Sequence, residues 1–332
     1  MKAFIQLWKA RNTEFYRDRG SLSWAFVFPV LIIIGCAIAF SHEDETLFTI
    51  GFYPNAEHAE NFSVLTAGYS KIINYDDLEK AKLRLRNHQL HAVIETATGT
   101  VWLNPTSTQS KLIRHLLEPQ AEQLHLQELS GKAIRYVDWV IPGVLGMNIM
   151  FGSLFGVGYV MVRYRKNGVL KRLQATPISA YKFLSAQIAS RLFVVLSTNS
   201  MIFIGSYFAL DLMMLGNALS LLVVAAIGAM SMISIGLLIA SRTDSEEFAG
   251  GILNAATWPM MFLSGIWFSL DDTPELMQAL ANLLPLTHLV AAARDIMING
   301  ASLVDEASHL LVLLAVTLIS LSLAALSFRW HK

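Results

Sequence analysis

The sequence contains little charge and almost no cysteine. Only 15% of its 332 residues are charged and 54% are hydrophobic, whereas a soluble domain usually carries about 25% charged residues. The single cysteine, Cys36, excludes an intrachain disulfide and a cysteine-based metal site. The formal net charge is zero, which argues against a nucleic-acid partner. The composition therefore indicates an integral membrane protein.

The motifs of common catalytic sites are also absent. No phosphate-binding loop of the form G-x-x-x-x-G-K-[ST] occurs, and the nearest string is Ser130-Gly131-Lys132. Neither H-E-x-x-H nor G-x-S-x-G is present. His88 and His91 are three residues apart, a spacing that a solvated surface explains better than a metal site. We therefore expect no catalytic residue, no metal and no cofactor bound by this chain.

Six long apolar runs predict six transmembrane helices. Each run is close to the roughly 20 residues that a bilayer requires. The first run is longer than the roughly 7–15 residues of a signal-peptide core, which favours an uncleaved span over a processed leader. The expected spans are residues 22–40, 139–162, 183–209, 215–240, 249–269 and 307–328.

Residues 1–21, before the first span, combine aromatic and basic side chains. Phe4, Trp8 and Phe15 recur near helical spacing, which predicts an amphipathic helix in the cytosolic membrane interface. A simple basic flank of the first span is the alternative interpretation, and the two are compatible.

The distribution of lysine and arginine predicts the orientation in the membrane. Basic residues concentrate in segments 1–21 and 163–182 and after the last span, whereas acidic residues fill the short loops on the opposite side. Only Arg294 opposes this pattern among the short outer segments. Because basic loops stay in the cytosol, we expect a multi-pass protein of the bacterial inner (plasma) membrane with both termini in the cytosol.

Two segments between the spans have patterns of their own. Residues 41–137 are predicted to form a small α/β extracytoplasmic domain, large enough for its own core. Residues 270–303 contain Pro274 and Pro285 and are expected to form short re-entrant helices on the outer side, before the sixth span. Within the predicted domain, strands are expected at 47–53, 91–95 and 101–104 and helices at 56–69, 76–89 and 107–131.

Polar side chains are sparse within the predicted spans. Arg191 is the one ionisable residue deep in a span, and it could serve either the structure or a coupling pathway. Asn148, Asn254 and Trp258 could line a path or join helices. The G-x-x-x-G spacing of Gly152–Gly156 permits close helix contact and makes self-association plausible. Without a series of intramembrane carboxylates, a proton- or sodium-driven carrier is disfavoured.

The basic loop 163–182 is the most informative segment. It predicts a short helix with one apolar ridge flanked by basic residues, and a Thr-Pro pair that ends the helix. The ridge could dock into a groove of a partner protein; alternatively, the loop could lie on anionic lipid. The ridge consists of Val169, Leu170 and Leu173, with Lys171 and Arg172 beside it and Thr176-Pro177 after it.

Over its whole length, the chain resembles the permease subunit of type-2 ABC exporters. The spacing of the spans and the insert after the first span contribute to the resemblance. The string Gly168-Val-Leu-Lys-Arg-Leu-Gln-Ala-Thr-Pro-Ile-Ser179 resembles the family loop G-x-L-x-R-L-x-x-T-P-[IL]-S. Leu284-Pro-Leu-Thr-His-Leu-Val-Ala-Ala-Ala-Arg294 resembles its outer segment L-P-x-x-x-x-x-x-x-x-R. One departure is Lys166-Asn167, where many members carry a glutamate just before the loop glycine.

The resemblance implies an assembly of several subunits. A separate cytosolic ABC ATPase would carry the missing phosphate loop and bind ATP and Mg, and a second copy of the permease or a homologous permease would complete the membrane part. A substrate path would lie between the second and fifth spans of the two permeases, and the interfacial helix would lie near the ATPase. The residues implied in ATPase coupling are Gly168, Leu170, Lys171, Arg172, Leu173, Thr176 and Pro177. Those implied in an outer gate are Pro285, His288 and Arg294.

The function predicted on these grounds is the membrane-spanning permease subunit of an ATP-driven exporter, which is a transport subunit and not an enzyme. The alternative is a non-transporting membrane scaffold or sensor, whose outer domain binds a ligand and whose basic loop recruits a cytosolic protein. A membrane-embedded enzyme is disfavoured because no catalytic set converges. The sequence does not identify the substrate.

Overall fold

The chain divides into two compact units. The computed structural model describes residues 2–39, 48–54, 70–117, 124–131, 134–176, 178–241, 243, 245–270 and 273–327. The helical unit comprises Met1–Ala39 and Tyr136–Lys332, and the sheet unit comprises Phe40–Arg135.

The described residues form twelve α-helices, one π-helix and five strands. The helices are α1 (Lys2–Arg17), α2 (Arg19–Ala39), α3 (Leu78–Arg86), α4 (Thr108–Leu117), α5 (Tyr136–Lys166), α6 (Val169–Gln174), α7 (Ala180–Leu210), α8 (Ala218–Ala240), α9 (Glu246–Leu263), α10 (Glu275–Ala281), α11 (Pro285–Arg294), the π-helix Asp295–Asn299 and α12 (Ala307–Ser327). The strands are β1 (Phe48–Tyr53), β2 (Ser70–Asn74), β3 (Ala92–Glu95), β4 (Thr100–Leu103) and β5 (His125–Glu128).

The helical unit has the helix lengths and the hydropathy of a membrane protein. Within the described residues, four helices are long and apolar enough to cross a bilayer: α5, α7, α8 and α12. The number rises to six if each of two bent helix pairs counts as one span. One pair joins α1 and α2 with a bend of 60°, and the other joins α10 to α11 and the π-helix with a bend of 92°.

The helix ends differ from the predicted spans in places that local geometry explains. The fifth predicted span ends at Leu263 and not at residue 269, because Gly265 adopts a φ of +67° and turns the chain away from the helix axis. The third begins earlier than expected, at Ala180, where the Ser179 side chain caps the helix by accepting a hydrogen bond from the Lys182 amide. Pro285 occupies the first turn of α11, where its missing N–H costs no hydrogen bond.

Helix α5 is the central element of the helical unit. It packs against α2, α7, α8, α9 and α11. The backbones of α5 and α8 approach so closely that a Cβ on Gly236 would lie 2.9 Å from the Leu154 carbonyl oxygen. Only glycine fits this crossing without a backbone shift.

The sheet unit is a five-stranded sheet with helices on both faces. The strand order is β2-β1-β3-β4-β5, and only the β3–β4 pair is antiparallel. Helix α4 covers one face through Ile113 and Leu117, which pack with Phe52 and Ile94. Helix α3 covers the other face, where Leu85 packs with neighbouring apolar residues.

Two expectations for the sheet unit need correction. The predicted helix over residues 107–131 is wrong, because α4 ends at Leu117 and residues His125–Glu128 form β5, paired in parallel with β4. This edge strand is mostly solvent-exposed, so it has no apolar alternation that a sequence could reveal. The short strand Ser70–Asn74 was not anticipated. The predicted helix at 56–69 lies outside the described residues.

Candidate functional site

A large open cavity lies between four helices of the helical unit. Its volume is about 910 Å³, its walls are α2, α5, α7 and α9, and α1 borders one end. The three residues proposed for a path, Asn148, Asn254 and Trp258, all line this cavity. The sequence thus selected side chains from two distant spans that the fold brings to one cavity.

The three residues contribute in different ways. Asn148 donates a hydrogen bond of 3.0 Å to the side-chain oxygen of Asn199, which in turn donates to the Leu145 carbonyl at 3.3 Å. Asn148 therefore joins α5 to α7 as well as facing the cavity. Asn254 and Trp258 are exposed along α9, so they are free to contact a ligand or another protein surface.

The cavity changes from charged to aromatic along its length. The end beside α1 is lined by Arg11, Glu14, Asp18 and Arg163. Further along, a row of rings forms the wall, with centroid distances of 5.4 Å for Trp24–Phe28, 6.4 Å for Phe28–Phe151 and 5.9 Å for Phe151–Phe155. Such a wall offers apolar area to a ligand whose polar group stays at the charged end.

Arg191 lies against α5 in a recess made by two glycines. Its Nε donates to the Gly152 carbonyl, and its guanidinium carbon lies 5.5 Å from the centre of the Phe15 ring. A side chain at Gly156 would collide with the guanidinium. Within this chain, the G-x-x-x-G spacing of α5 therefore accommodates Arg191.

Helix α1 is tied to the cavity walls by a charged network centred on Glu14. The Glu14 carboxylate accepts hydrogen bonds from Arg11 and Arg163, each at 2.8 Å, and from the Tyr164 hydroxyl. Arg11 also donates to the Gly156 carbonyl at 3.1 Å. Burial alone would raise the pKa of Glu14, but the Tyr164 hydrogen bond and the two positive charges outweigh it and lower this pKa.

The network around Glu14 predicts a loss of stability in Glu14→Gln. The variant replaces two charge-assisted bonds with neutral ones, which should cost about 1–2 kcal/mol at this partly exposed site. Because the Glu14 pKa is lowered, its contribution is present at neutral pH and is lost as the pH falls below the ordinary value of 4.5. Thermal unfolding in detergent at several pH values measures both effects. The exposed Glu247→Gln is the control, and equal melting temperatures for the two variants at pH 7 would contradict the assignment.

The predicted coupling helix exists as α6, but its apolar ridge faces inward. Gly168 starts the helix with a φ of +68°, which reverses the chain after α5. Leu170 is completely buried in a core cluster of the helical unit, and Leu173 packs against that cluster. In this structure Leu170 is therefore not accessible to a partner, Val169 and Leu173 are half-buried, and docking through this ridge stays a prediction. The exposed face carries Lys171, Arg172 and Thr176 instead, and Pro177 lies outside the described residues.

Arg165, in the last turn of α5 just before α6, fixes this point of the chain to the end of α8. Its guanidinium donates to the carbonyls of Ala240 at 2.8 Å, Ser241 at 3.1 Å and Thr243 at 2.6 Å. A cation at a helix C-terminus satisfies carbonyls that have no partner within the helix. Sequence analysis counted Arg165 only as a basic residue of the loop, because its partners are more than seventy residues away in the chain.

The outer segment is held by Arg294 and by a histidine pair, in which His288 is buried and His309 is half-buried. Arg294 donates to the carbonyls of Trp139 at 3.2 Å and Gly265 at 2.8 Å, and it stacks 3.9 Å above the Trp139 ring. His288 Nδ1 lies 2.8 Å from His309 Nδ1, and His288 Nε2 donates to the Asn282 carbonyl at 2.9 Å. These contacts join α11 to α5 and to α12, respectively.

Comparison with known proteins places this architecture in a family. The family model for ABC-2 family transporter proteins matches residues 19–326. The chain belongs to the ABC-2 transporter family. This match includes the cavity helices, α6 and the outer segment.

Three curated relatives of the ABC-2 chain carry permease names. The probable multidrug ABC transporter permease YbhS of Escherichia coli is 24% identical over 163 residues, 49% of this chain and 43% of that protein. The linearmycin resistance permease protein LnrN of Bacillus subtilis is 26% identical over 187 residues, 55% and 46% of the two chains. The inner membrane transport permease YhhJ of Escherichia coli is 26% identical over 191 residues, 55% and 49%. The matched regions thus span about half the length of these relatives.

A buried acid precedes α12 of the ABC-2 chain, and sequence analysis counted it only among the acidic residues of the outer loops. Glu306, in the turn before α12, is buried, and its Oε2 lies 4.0 Å from His309 Nε2. Burial, followed by the negative charges of Asp295 and Asp305, raises the pKa of Glu306 to about 7. The rule that flags ionisable residues in apolar surroundings would have found Glu306 and His309, which lie at the border of the last apolar run.

The raised pKa of Glu306 predicts a pH-dependent stability. The folded chain holds this proton more tightly than the unfolded chain, so stability should fall as the pH rises from 4.5 to about 7. Glu306→Gln removes the titration and should raise the melting temperature at pH 8 and flatten its dependence on pH. Thermal unfolding across this range tests the prediction, with the exposed Glu275→Gln as control. An unchanged slope in Glu306→Gln would contradict it.

Proposed function

We propose that the ABC-2 chain is the membrane-spanning permease subunit of an ATP-driven exporter, and that its cavity is part of the substrate path. The observation that carries the proposal is the cavity itself, which brings together Asn148 of α5 and Asn254 of α9. Its size falls within the range of about 300–1,000 Å³ that suits small-molecule ligands. The relatives named for multidrug transport and linearmycin resistance support an export role.

The proposed topology has six spans: α2, α5, α7, α8, α9 and α12. The distribution of basic residues supports cytosolic termini, a cytosolic α6 and an extracytoplasmic sheet unit. Helices α10 and α11 then form a re-entrant pair on the outer side. The name of the relative YhhJ supports placement in a bacterial inner membrane.

In this proposal a separate cytosolic ABC ATPase binds ATP and Mg and docks on the exposed face of α6. Lys171, Arg172 and Thr176 supply the contact, whereas Leu170 anchors α6 in the core of the permease. A displacement of α6 by the ATPase is therefore transmitted directly to α5, because Leu170 packs in the same cluster as Val162. Helix α5 carries Asn148 and Phe151 of the cavity wall, so the same helix connects ATPase docking to the substrate path.

A second permease, identical or homologous, completes the proposed assembly. Helix α9 supports this arrangement because it exposes large aromatic side chains: Phe248 is 62% exposed, Trp258 53% and Phe262 51%. A row of this kind suits either lipid or a second permease. Since Trp258 also lines the cavity, a second permease on this face would enclose the path.

Purification from native membranes tests the proposed function. A tagged chain, cross-linked in bacterial membranes before extraction, should copurify with a phosphate-loop ATPase, and the complex should hydrolyse ATP. Preparations without the tagged chain provide the control. If no ATPase copurifies and a different cytosolic protein is recovered in stoichiometric amount, the scaffold or sensor alternative replaces the exporter.

A further inference from the structure

The charges that line the cavity do not balance locally. Three arginines and two carboxylates, Glu14 and Asp18, belong to the lining. Glu14 binds both Arg11 and Arg163. Among the described residues, no carboxylate lies within ion-pair distance of Arg191, whose recorded partners are the Gly152 carbonyl and the Phe15 ring.

Arg191 is costly in this position unless an anion approaches it. A guanidinium at the centre of a membrane helix costs roughly 2.5–3.5 kcal/mol on insertion scales. It has five N–H donors, of which Nε has an acceptor in the described part of the chain. One carbonyl and one ring offset only part of the lost hydration, so an anionic group from outside the chain would gain directly from binding there.

The surroundings of Arg191 indicate the shape of such an anion. The guanidinium rests in the Gly152–Gly156 recess, close to α5, and Arg191 belongs to the cavity lining. The ring row of Trp24, Phe28, Phe151 and Phe155 lines the same cavity. A ligand that satisfies both features has one acidic group and an apolar, preferably aromatic, body.

We propose that the cavity binds drug-sized amphipathic organic anions, with the acidic group on Arg191 and the apolar body along the aromatic wall. This inference rests on the proposed function, since it assigns a substrate class to the same cavity. A carboxylate or sulfonate matches the planar fork of arginine. A cationic ligand is disfavoured, because three arginines outnumber the two carboxylates of the lining and Glu14 is already bound by two of those arginines.

A matched pair of fluorescent probes tests the inference. 1-Anilinonaphthalene-8-sulfonate and N-phenyl-1-naphthylamine share one aromatic skeleton and differ by the sulfonate. Binding is measured by energy transfer from the chain's tryptophans, with the full chain in phosphatidylcholine nanodiscs. Arg191→Gln should weaken sulfonate binding by about tenfold or more and leave binding of the neutral probe unchanged. Arg191→Lys should retain much of the sulfonate affinity.

Two further variants keep the test decisive if Arg191→Gln folds poorly. Gly156→Ala retains the charge but displaces the guanidinium from its recess, so it should weaken sulfonate binding selectively. Lys111→Gln, exposed on α4 of the sheet unit, controls for a general loss of positive charge. Equal sulfonate affinity in the wild type and all Arg191 and Gly156 variants would overturn the inference, as would a parallel loss of both probes.

A lipid control and a transport assay separate the remaining outcomes. If phosphatidylglycerol in the nanodisc displaces the sulfonate from the wild type, the site belongs to an anionic lipid and the inference is overturned. If inside-out vesicles accumulate the neutral probe when ATP is supplied, but sulfonate binding does not depend on Arg191, the proposed function stands and the inference fails. If vesicles move neither probe but binding depends on Arg191, the anion site stands and the exporter proposal fails.

Discussion

We expect Gly250→Trp to abolish the ATP-driven transport proposed for the ABC-2 chain and to leave its fold intact. Gly250 lies on α9 and lines the cavity, and a Cβ built there meets no other atom within 4 Å. The indole therefore enters open space and obstructs the cavity without displacing a neighbour. Replacement of a helical glycine also removes an entropic penalty of about 1 kcal/mol, so the variant should be no less stable than the wild type.

The matched control is Gly205→Trp on α7. Gly205 is likewise helical, exposed and without contacts around a Cβ, but it does not line the cavity. ATP-started accumulation of 1-anilinonaphthalene-8-sulfonate and of N-phenyl-1-naphthylamine in inside-out vesicles measures both variants against the wild type. Normal transport by Gly250→Trp, or equal loss in both variants, would show that the cavity is not the path.

We expect reversal of the two basic charges on α6 to separate the proposed ATPase from the ABC-2 chain. Lys171 and Arg172 are exposed and form no core contact, so Lys171→Glu with Arg172→Glu should leave the permease folded. Like charges placed across an interface cost several kcal/mol, and we expect copurification of the ATPase to fall by about tenfold or more. Pull-down from cross-linked membranes measures this loss.

Two companion variants sharpen the interpretation. Lys171→Arg with Arg172→Lys preserves the charge and should retain the ATPase. Leu170→Asp, by contrast, buries an unpaired carboxylate in the core cluster around Val162 and Phe183 and should reduce expression of folded protein. Undiminished ATPase recovery with the charge-reversed pair would contradict the assignment of this face.

The sequence was sufficient to predict the features that depend on local pattern. Long apolar runs predicted α5, α7, α8 and α12, the four described helices that are long and apolar enough to cross a bilayer, because hydropathy over about 20 residues is a local property. The apolar ridge of Val169, Leu170 and Leu173 predicted the short helix α6, and in the structure Gly168 begins this helix with a positive φ. Asn148, Asn254 and Trp258 were found because uncharged polar and amphipathic side chains are conspicuous within apolar runs.

The features that sequence analysis missed depend on contacts between distant segments. In the sequence, Glu14 is a single acid within a basic helix, and nothing local indicates its ion pair with Arg163, which lies 149 residues away. Whether Leu170 faces the core or a partner could not be predicted, because a helix of six residues has too few turns to show which face is buried. The G-x-x-x-G spacing suggested helix association. In the structure, these two glycines of α5 leave the space that the Arg191 side chain of α7 occupies.

Transport in proteoliposomes tests the central claim most directly. Proteoliposomes that contain the ABC-2 chain and the ATPase that copurifies with it should accumulate 1-anilinonaphthalene-8-sulfonate or its neutral analogue N-phenyl-1-naphthylamine when ATP and Mg are supplied on the ATPase side. Liposomes with the Gly250→Trp variant should hydrolyse ATP but accumulate no probe. Liposomes with either subunit alone should show no ATP-driven accumulation. Accumulation that persists without the ATPase, or that Gly250→Trp leaves unchanged, would contradict the account.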